Sequence, residues 1–200
     1  MIKTIILLKN QNASAEYEND LNKIFMTSLS VKTTYLSMPA PPALSPRPDP
    51  RQGLLLLSCR PGVAWYRFLY NEVGRDLMWV DLNFKSDQAL ADDLQDPAAS
   101  VTVLYVDGVP AGYYELYAEA DGSIRLAYFG LMPAFRGLGL GSWLLEKAVL
   151  DAWSRQPTRF WLHTCELDSP AALPTYLRAG FVITHVETIQ QRVDSGSRVG

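Results

Sequence analysis

Two cysteines, Cys59 and Cys165, are all that the 200 residues contain, and histidine is equally scarce, with His163 and His185 alone. Two distant thiols make no disulfide framework, which suits a protein of the reducing cytoplasm, and each is expected as a small buried hydrophobe. The donors His163, Cys165, Glu166 and Asp168 match no zinc spacing, so no metal is expected. No dense run of lysine or arginine occurs and the formal net charge is -3, which argues against nucleic acid as a partner. The apolar runs fall far short of the roughly 20 residues that span a bilayer, so no membrane partner is expected. Ile5-Ile6-Leu7-Leu8 is too short for a signal core, and Lys9 follows it at once. No Gly-x-Ser-x-Gly elbow is present to carry a serine triad.

What is present is ordinary globular material: 48% hydrophobic and 20% charged residues, enough apolar mass for one sizeable core. The expected organisation is an extension over residues 1–30, one folded domain over 31–190 and a flexible tail over 191–200. Met26 is a candidate natural start, which would make the upstream segment extra. Residues 37–50, SMPAPPALSPRPDP, hold six prolines and read as an extended strap, or alternatively as a tract through which an adaptor docks a partner.

The alternation of Val31, Thr33 and Tyr35 predicts a short strand over 31–36, and LLLLSCR predicts a buried one. Val63, Tyr66, Leu69, Tyr70 and Val73 then mark one face of a helix stopped by Gly74. Ser86 caps a second, short helix that carries Leu90 and Leu94 and ends before Pro97. Three alternating runs, SVTVLYV, GYYELYA and SIRLAYFGL, are joined at Asp107-Gly108 and Asp121-Gly122, a strong signal for an antiparallel meander. A helix follows with Leu144, Leu145, Ala148 and Ala152 in a stripe, then the strand RFWLHT. Ser169 and Pro170 open a last helix whose Leu173 and Leu177 are expected in the core; Gly180 ends it, and FVITHVETI returns as a strand. The order predicts a mixed α/β fold with a mostly antiparallel sheet flanked by helices.

Between the meander and the third helix lies LMPAFRGLGLG, in which Gly137, Gly139 and Gly141 alternate behind Arg136. A helix N-terminus leaves amide groups without intrahelical partners, and glycine lets an anion approach them. The segment therefore reads as a phosphate or pyrophosphate cradle, although the glycine run alone reads equally as a tight strand-to-helix turn. Gly141 is followed by Ser142 and Trp143, not Lys-Ser/Thr, which excludes a nucleotide P-loop, and no early βαβ unit supports a dinucleotide fold.

The combination of LMPAFRGLGLG, a helix and a later LPTYLRAGF closely resembles the GNAT superfamily of acyl-CoA-dependent N-acyltransferases. Arg136, Gly139 and Gly141 match its Arg/Gln-x-x-Gly-x-Gly/Ala signature, and the resemblance covers about Val31 to Ile189. It implies a GNAT-like fold and transfer of an acetyl group from acetyl-CoA directly to a primary amine of a small molecule or peptide. It further implies that the amides of Gly137, Leu138, Gly139, Leu140, Gly141 and Ser142 hold the pyrophosphate. The pantetheine arm would pair with the strand edge Phe129, Gly130, Leu131 and Met132, with Gly130 as a bulge that opens the cleft. Arg136 would either bind phosphate or fix the loop. The match places Tyr176 where the family commonly has its general acid, and the expected helix orientation sets it near the core's rim.

Direct transfer needs a base as well as an acid. Tyr113, Glu115 and Tyr117 share a strand face, so Glu115 is a carboxylate between aromatics, where desolvation raises a pKa. A two-residue turn at Asp121-Gly122 would pair Glu115 with Tyr128. His163, Glu166 and a water chain are its rivals, and the same carboxylate reads equally as a hydrogen-bonded member of the sheet. Trp65, Tyr66 and Tyr70 either line the acceptor pocket or pack the core. The alternative to an enzyme is a catalytically silent acyl-CoA-binding regulatory protein on the same fold. Last-strand pairing between two copies would allow a homodimer.

Overall fold

The computed structural model describes residues 26–43 and 48–194. Most of the expected N-terminal extension, including everything upstream of Met26, lies outside the described residues, as does the end of the expected tail.

Seven strands, β1 (Met26–Met38), β2 (Leu54–Cys59), β3 (Ala99–Val106), β4 (Val109–Ala118), β5 (Ile124–Leu131), β6 (Phe160–Cys165) and β7 (Val182–Asp194), form one sheet in the order β2-β3-β4-β5-β6-β1-β7. The four α-helices are α1 (Val63–Val73), α2 (Asp87–Gln95), α3 (Leu140–Ser154) and α4 (Ala172–Arg178), with short 3-10 turns at Asp81–Phe84 and Pro133–Phe135. Neighbouring strands run antiparallel except β5 and β6. The mixed α/β architecture is the one the sequence predicts.

Alternation along β3 and β4 divides the core between the sheet's two faces. Leu104, Val106, Tyr114 and Leu116 pack with Leu144, Leu145 and Ala148 of α3 and with Tyr176 and Phe181. Val101, Val103 and Tyr113 pack with Tyr66, Leu69, Tyr70 and Val73 of α1 and with Leu90 and Leu94 of α2. Helix α1 ends at Gly74, and the Ser86 side chain caps α2 by accepting from Ala89 N at 3.2 Å, both as predicted. Among the described residues no helix is long and apolar enough to cross a membrane.

Strand β1 is longer than predicted because β7 supplies a partner along its whole length, from Met26↔Asp194 to Ser37↔Val182. It lies between β6 and β7, whereas β2 forms the opposite edge. The proline tract therefore joins two strands of one sheet across five strand spacings, about 24 Å at ~4.8 Å each. Residues 44–47 of that tract lie outside the described residues.

The turn Asp107-Gly108 has two residues, both with positive φ (51° and 82°), as an Asp-Gly hairpin of the primed type requires. The second hairpin differs from expectation. Glu119 N donates to Ser123 O, Gly122 N donates to Glu119 O, and Gly122 takes φ 79°, so the loop has three residues. That shifts the register by one, and an extra residue, Ala127, shifts it back. Glu115 faces Tyr128 after all, through two offsets that cancel.

Helix α4 begins later and turns differently than predicted. Ser169 and Pro170 precede it, Ala171 is its N-cap, and Tyr176 faces the core at 7% exposure while Leu177 is 43% exposed. Phe181 N donates to Tyr176 O across Gly180, whose φ is 99°, and the helix closes there. Neither cysteine is a buried hydrophobe as expected: Cys59 is exposed and Cys165 is half-buried.

Candidate active site

Strands β5 and β6 pair only at Ile124↔Phe160 and Arg125↔Trp161, after which they part. The parting coincides with the Ala127 bulge, which bends β5 immediately beyond its last pair with β6. A cleft of about 790 Å³ opens there. Leu126 to Leu131 line it from β5, His163 and Cys165 from β6, Gly137 and Gly141 from the glycine loop, and Tyr70 and Trp79 from the α1 side. The predicted bulge at Gly130 is thus corrected to Ala127. Gly130 has another reason to be glycine: a Cβ there would meet Val73 Cγ1 at 2.4 Å, so the residue lets α1 lie directly on β5.

Gly137 and Gly139 have φ of 74° and 76°, and Gly139 is the N-cap of α3 with no side chain to bond the first turn. Among the described residues the amides of Gly137, Leu138, Gly139, Leu140, Gly141 and Ser142 donate to no backbone carbonyl outside a regular element. Gly141 is different. Its φ is not positive, and a Cβ on it would stand at an ordinary 3.7 Å from Leu131 Cδ1. Nothing among the described residues calls for glycine there, although glycine costs a helix about 0.5–1 kcal/mol relative to alanine.

Arg136 carries the loop's side-chain connections. Its Nε donates to Leu131 O at 3.0 Å, its Nη2 to Val73 O at 2.7 Å, and its Nη1 to the Asp76 carboxylate. Of the two roles open to it, the geometry displays loop fixing. Phe129 lines the cleft with Gly130 and Leu131, whereas Met132 and Leu140 are buried and Leu138 points away, 55% exposed.

Tyr176 also lines the cleft, edge-on to Phe129 with ring centroids 6.0 Å apart. Its hydroxyl has no hydrogen-bond partner among the described residues, and burial, with the Asp168 charge, holds its phenol protonated well above the usual range. Glu115 occupies a different place. It accepts a hydrogen bond from the Tyr66 hydroxyl and lines an adjoining cavity of about 410 Å³, which meets the cleft at Lys85, Ala127 and Tyr128. Burial raises its carboxyl pKa, with the Tyr66 hydrogen bond and the Arg125 charge pulling the other way. The structure therefore does not bring Tyr176 and Glu115 to one wall.

His163 does share the cleft with Tyr176. Burial, and then the Arg125 charge, push its imidazole below the ordinary 6.5, so the ring is neutral at neutral pH. Glu166 instead accepts from Lys32 N in the middle of β1. Asp168 is held by Trp79 Nε1 at 3.0 Å, Thr164 Oγ1 at 2.8 Å and Cys165 N at 3.0 Å. Burial, then Asp168, raise the Cys165 thiol to about 11. Among the described residues no group of three or more His, Cys, Asp or Glu side chains could hold a metal. Of the α1 aromatics weighed for the acceptor pocket, Tyr70 lines the cleft and Tyr66 the adjoining cavity, while Trp65 stacks on Phe68 away from both. Sequence reasoning missed Trp79 and Asp81, which lie in a stretch without periodicity that offered no signal.

A parallel strand pair that parts beside an uncapped glycine loop, with helices on both sheet faces, defines an acyltransferase-like architecture. The chain belongs to the Acetyltransferase (GNAT) family, whose model matches residues 65–181. Its fold is similar to that of a GCN5-related N-acetyltransferase from Kribbella flavida (21% identity, 92% of this chain and 66% of that one, TM-score 0.56). It is also similar to one from Sphaerobacter thermophilus (14%, 94% and 59%, TM-score 0.60) and to an IAA acetyltransferase from Bacillus cereus (20%, 66% and 79%, TM-score 0.52). The chain spans just under two-thirds of the length of the first and a smaller share of the second. None of the curated proteins matches it.

Proposed function

We propose that the protein is an N-acetyltransferase that moves an acetyl group from acetyl-CoA directly to a primary amine. The observation that carries this reading is Gly141, a glycine that the protein's own packing does not require, on the cleft wall and in the first turn of α3. A diphosphate seated on the amides of Gly137 to Ser142 supplies the missing reason, since a side chain at 141 would stand in its way. The parted edge of β5 has backbone groups to pair with the pantetheine amides, and the cleft's volume suits such an arm.

When bound, acetyl-CoA supplies the thioester. The residues do the rest. Arg136 fixes the loop that carries the Gly137 to Ser142 amides. Tyr176, protonated and unpartnered, donates its proton to the departing sulfur. Glu115 takes the proton lost by the acceptor ammonium through water in the adjoining cavity, its raised pKa fitting it to the task. A second assignment for the base is His163, because it stands on the cleft wall itself with a neutral ring.

Titration calorimetry with coenzyme A, beside thiol release from acetyl-CoA with an amine panel, tests the reading. Binding with turnover is expected, and Gly141→Leu is expected to weaken coenzyme A at least about ten-fold, ~1.4 kcal/mol. Binding without turnover on any amine would favour the silent acyl-CoA-binding alternative. Absence of binding would end both.

A further inference from the structure

The α1-facing wall of the cleft is aromatic. Tyr70, Trp79 and Tyr128 form a triangle of rings with centroids 5.3, 5.6 and 5.8 Å apart. Beside them stands Asp81, first residue of the 3-10 turn, on the same wall. That turn is pinned from α1 by Arg67, which donates to Leu82 O, to Lys85 O at 2.7 Å and to Asp87 at 2.9 Å.

His163 faces Asp81 with a neutral ring, and the other neighbouring charges are committed. Lys85 pairs with Asp93, Arg125 with Glu119, Glu115 accepts from Tyr66, and Asp168 has its three donors. The Asp81 carboxylate has no hydrogen bond and no salt bridge among the described residues. The residue as a whole is exposed, and the desolvation its carboxyl meets on the cleft wall raises its pKa, with the His163 charge pulling the other way. Independently, Thr33 lines the same cleft fully buried, and its hydroxyl has no partner either. A carboxylate without a hydrogen-bond partner, on one wall with the partly exposed rings of Trp79 and Tyr128, suits an ammonium group.

The amine that is acetylated cannot be that ammonium. It must lose its proton before attack, and a fixed carboxylate beside it would hold the proton on. The counter-charge of Asp81 is therefore a different group of the same acceptor. We propose that the acceptor carries a second cationic group, held by Asp81 against Tyr70, Trp79 and Tyr128, so that the cleft takes diamines in preference to monoamines. This rests on the reading of the cleft as an acetyl-transfer site, and it makes Asp81 a specificity-determining residue.

Hexylamine, hexamethylenediamine and aminocaproate share a chain and differ only at the far end, in having no charge, a positive charge or a negative one. Calorimetry of each in the presence of coenzyme A should give the diamine at least about a ten-fold lower Kd than hexylamine, with aminocaproate weakest. Asp81→Asn should collapse that spread while leaving hexylamine and coenzyme A unchanged. The carboxylate has no hydrogen bond or salt bridge among the described residues, so the isosteric change takes neither from the fold. A wild type that does not distinguish the three, or a variant that weakens all three alike, overturns the proposal. Thiol release from acetyl-CoA separates it from the reading it rests on. Asp81-dependent diamine binding without turnover keeps the ligand class and removes the enzyme; turnover with equal binding of the three amines removes the ligand class alone.

Discussion

Arg136 Nη1 stands 2.8 Å from Oδ1 and 2.6 Å from Oδ2 of Asp76, and that guanidinium beside it holds the Asp76 carboxyl below its ordinary range. With Nε and Nη2 on the carbonyls of Leu131 and Val73, the side chain ties the glycine loop to the end of β5 and the end of α1. An arginine in a loop that reads as a phosphate cradle is thus occupied by the protein itself.

Opposite signs separate the two roles of Arg136. If it fixes the loop, Asp76→Asn loosens the tether and weakens coenzyme A about three- to ten-fold, about 0.7–1.4 kcal/mol. If it binds phosphate directly, the same substitution frees the guanidinium and tightens coenzyme A. The first outcome is expected, with Arg136→Lys changing affinity in the same direction because an ammonium cannot span three acceptors. Calorimetry on the two variants decides.

The glycines of the loop should divide by mechanism. Gly139→Ala puts a side chain at φ 76° in open space, so its effect is backbone strain, about 1 kcal/mol, or roughly a 2–4 °C fall in Tm. Gly141→Ala meets no strain and gains helix propensity, so Tm should rise by a similar amount while coenzyme A affinity falls. A thermal melt and a titration on each variant check both. Equal loss of stability in the two would mean that position 141 is glycine for the fold's sake.

Local chemistry was legible and relative placement was not. Asp107-Gly108, Ser86 and Gly74 act through neighbours a few residues away, and each does what its residue type dictates. The sequence puts Leu177 in the core and Tyr176 at its rim, and the structure turns Tyr176 inward and Leu177 out, because a helix of seven residues gives too little periodicity to fix its rotation. The proposed site was legible in its backbone part, since the glycines mark the loop proposed to hold the diphosphate. Its acceptor side was not, since Trp79, Asp81 and Tyr128 meet only through the docking of α1 and the 3-10 turn on β5, which no local pattern encodes.

Tyr176→Phe removes one hydroxyl that bonds nothing among the described residues, so Tm and coenzyme A affinity should hold. Loss of general acid catalysis should lower kcat by about 10²-fold or more. For the base, Glu115→Gln should lower kcat by a comparable factor and His163→Gln by less than about ten-fold. The reverse order would transfer the role to His163. Steady-state kinetics on the three variants with one acceptor amine provides the comparison.

Glu115 should also mark the stability of the protein as pH changes. Its carboxyl pKa is raised above 4.5, first by burial. A group that holds its proton more tightly when folded contributes stability below its unfolded pKa, and that contribution is lost as pH rises through the folded pKa. At neutral pH the ionised Glu115 therefore weighs against the fold. Glu115→Gln keeps an oxygen to accept from Tyr66 and cannot ionise. It should melt higher than wild type at neutral pH, by about 2–4 °C for each kcal/mol recovered. The advantage should vanish below about pH 4.5, where wild type is protonated too. Melting curves of the pair from acid to neutral pH test this. A wild type that stays the more stable at neutral pH would mean that Tyr66 and Arg125 outweigh burial, leaving Glu115 an ordinary anion without the raised pKa its proposed role needs.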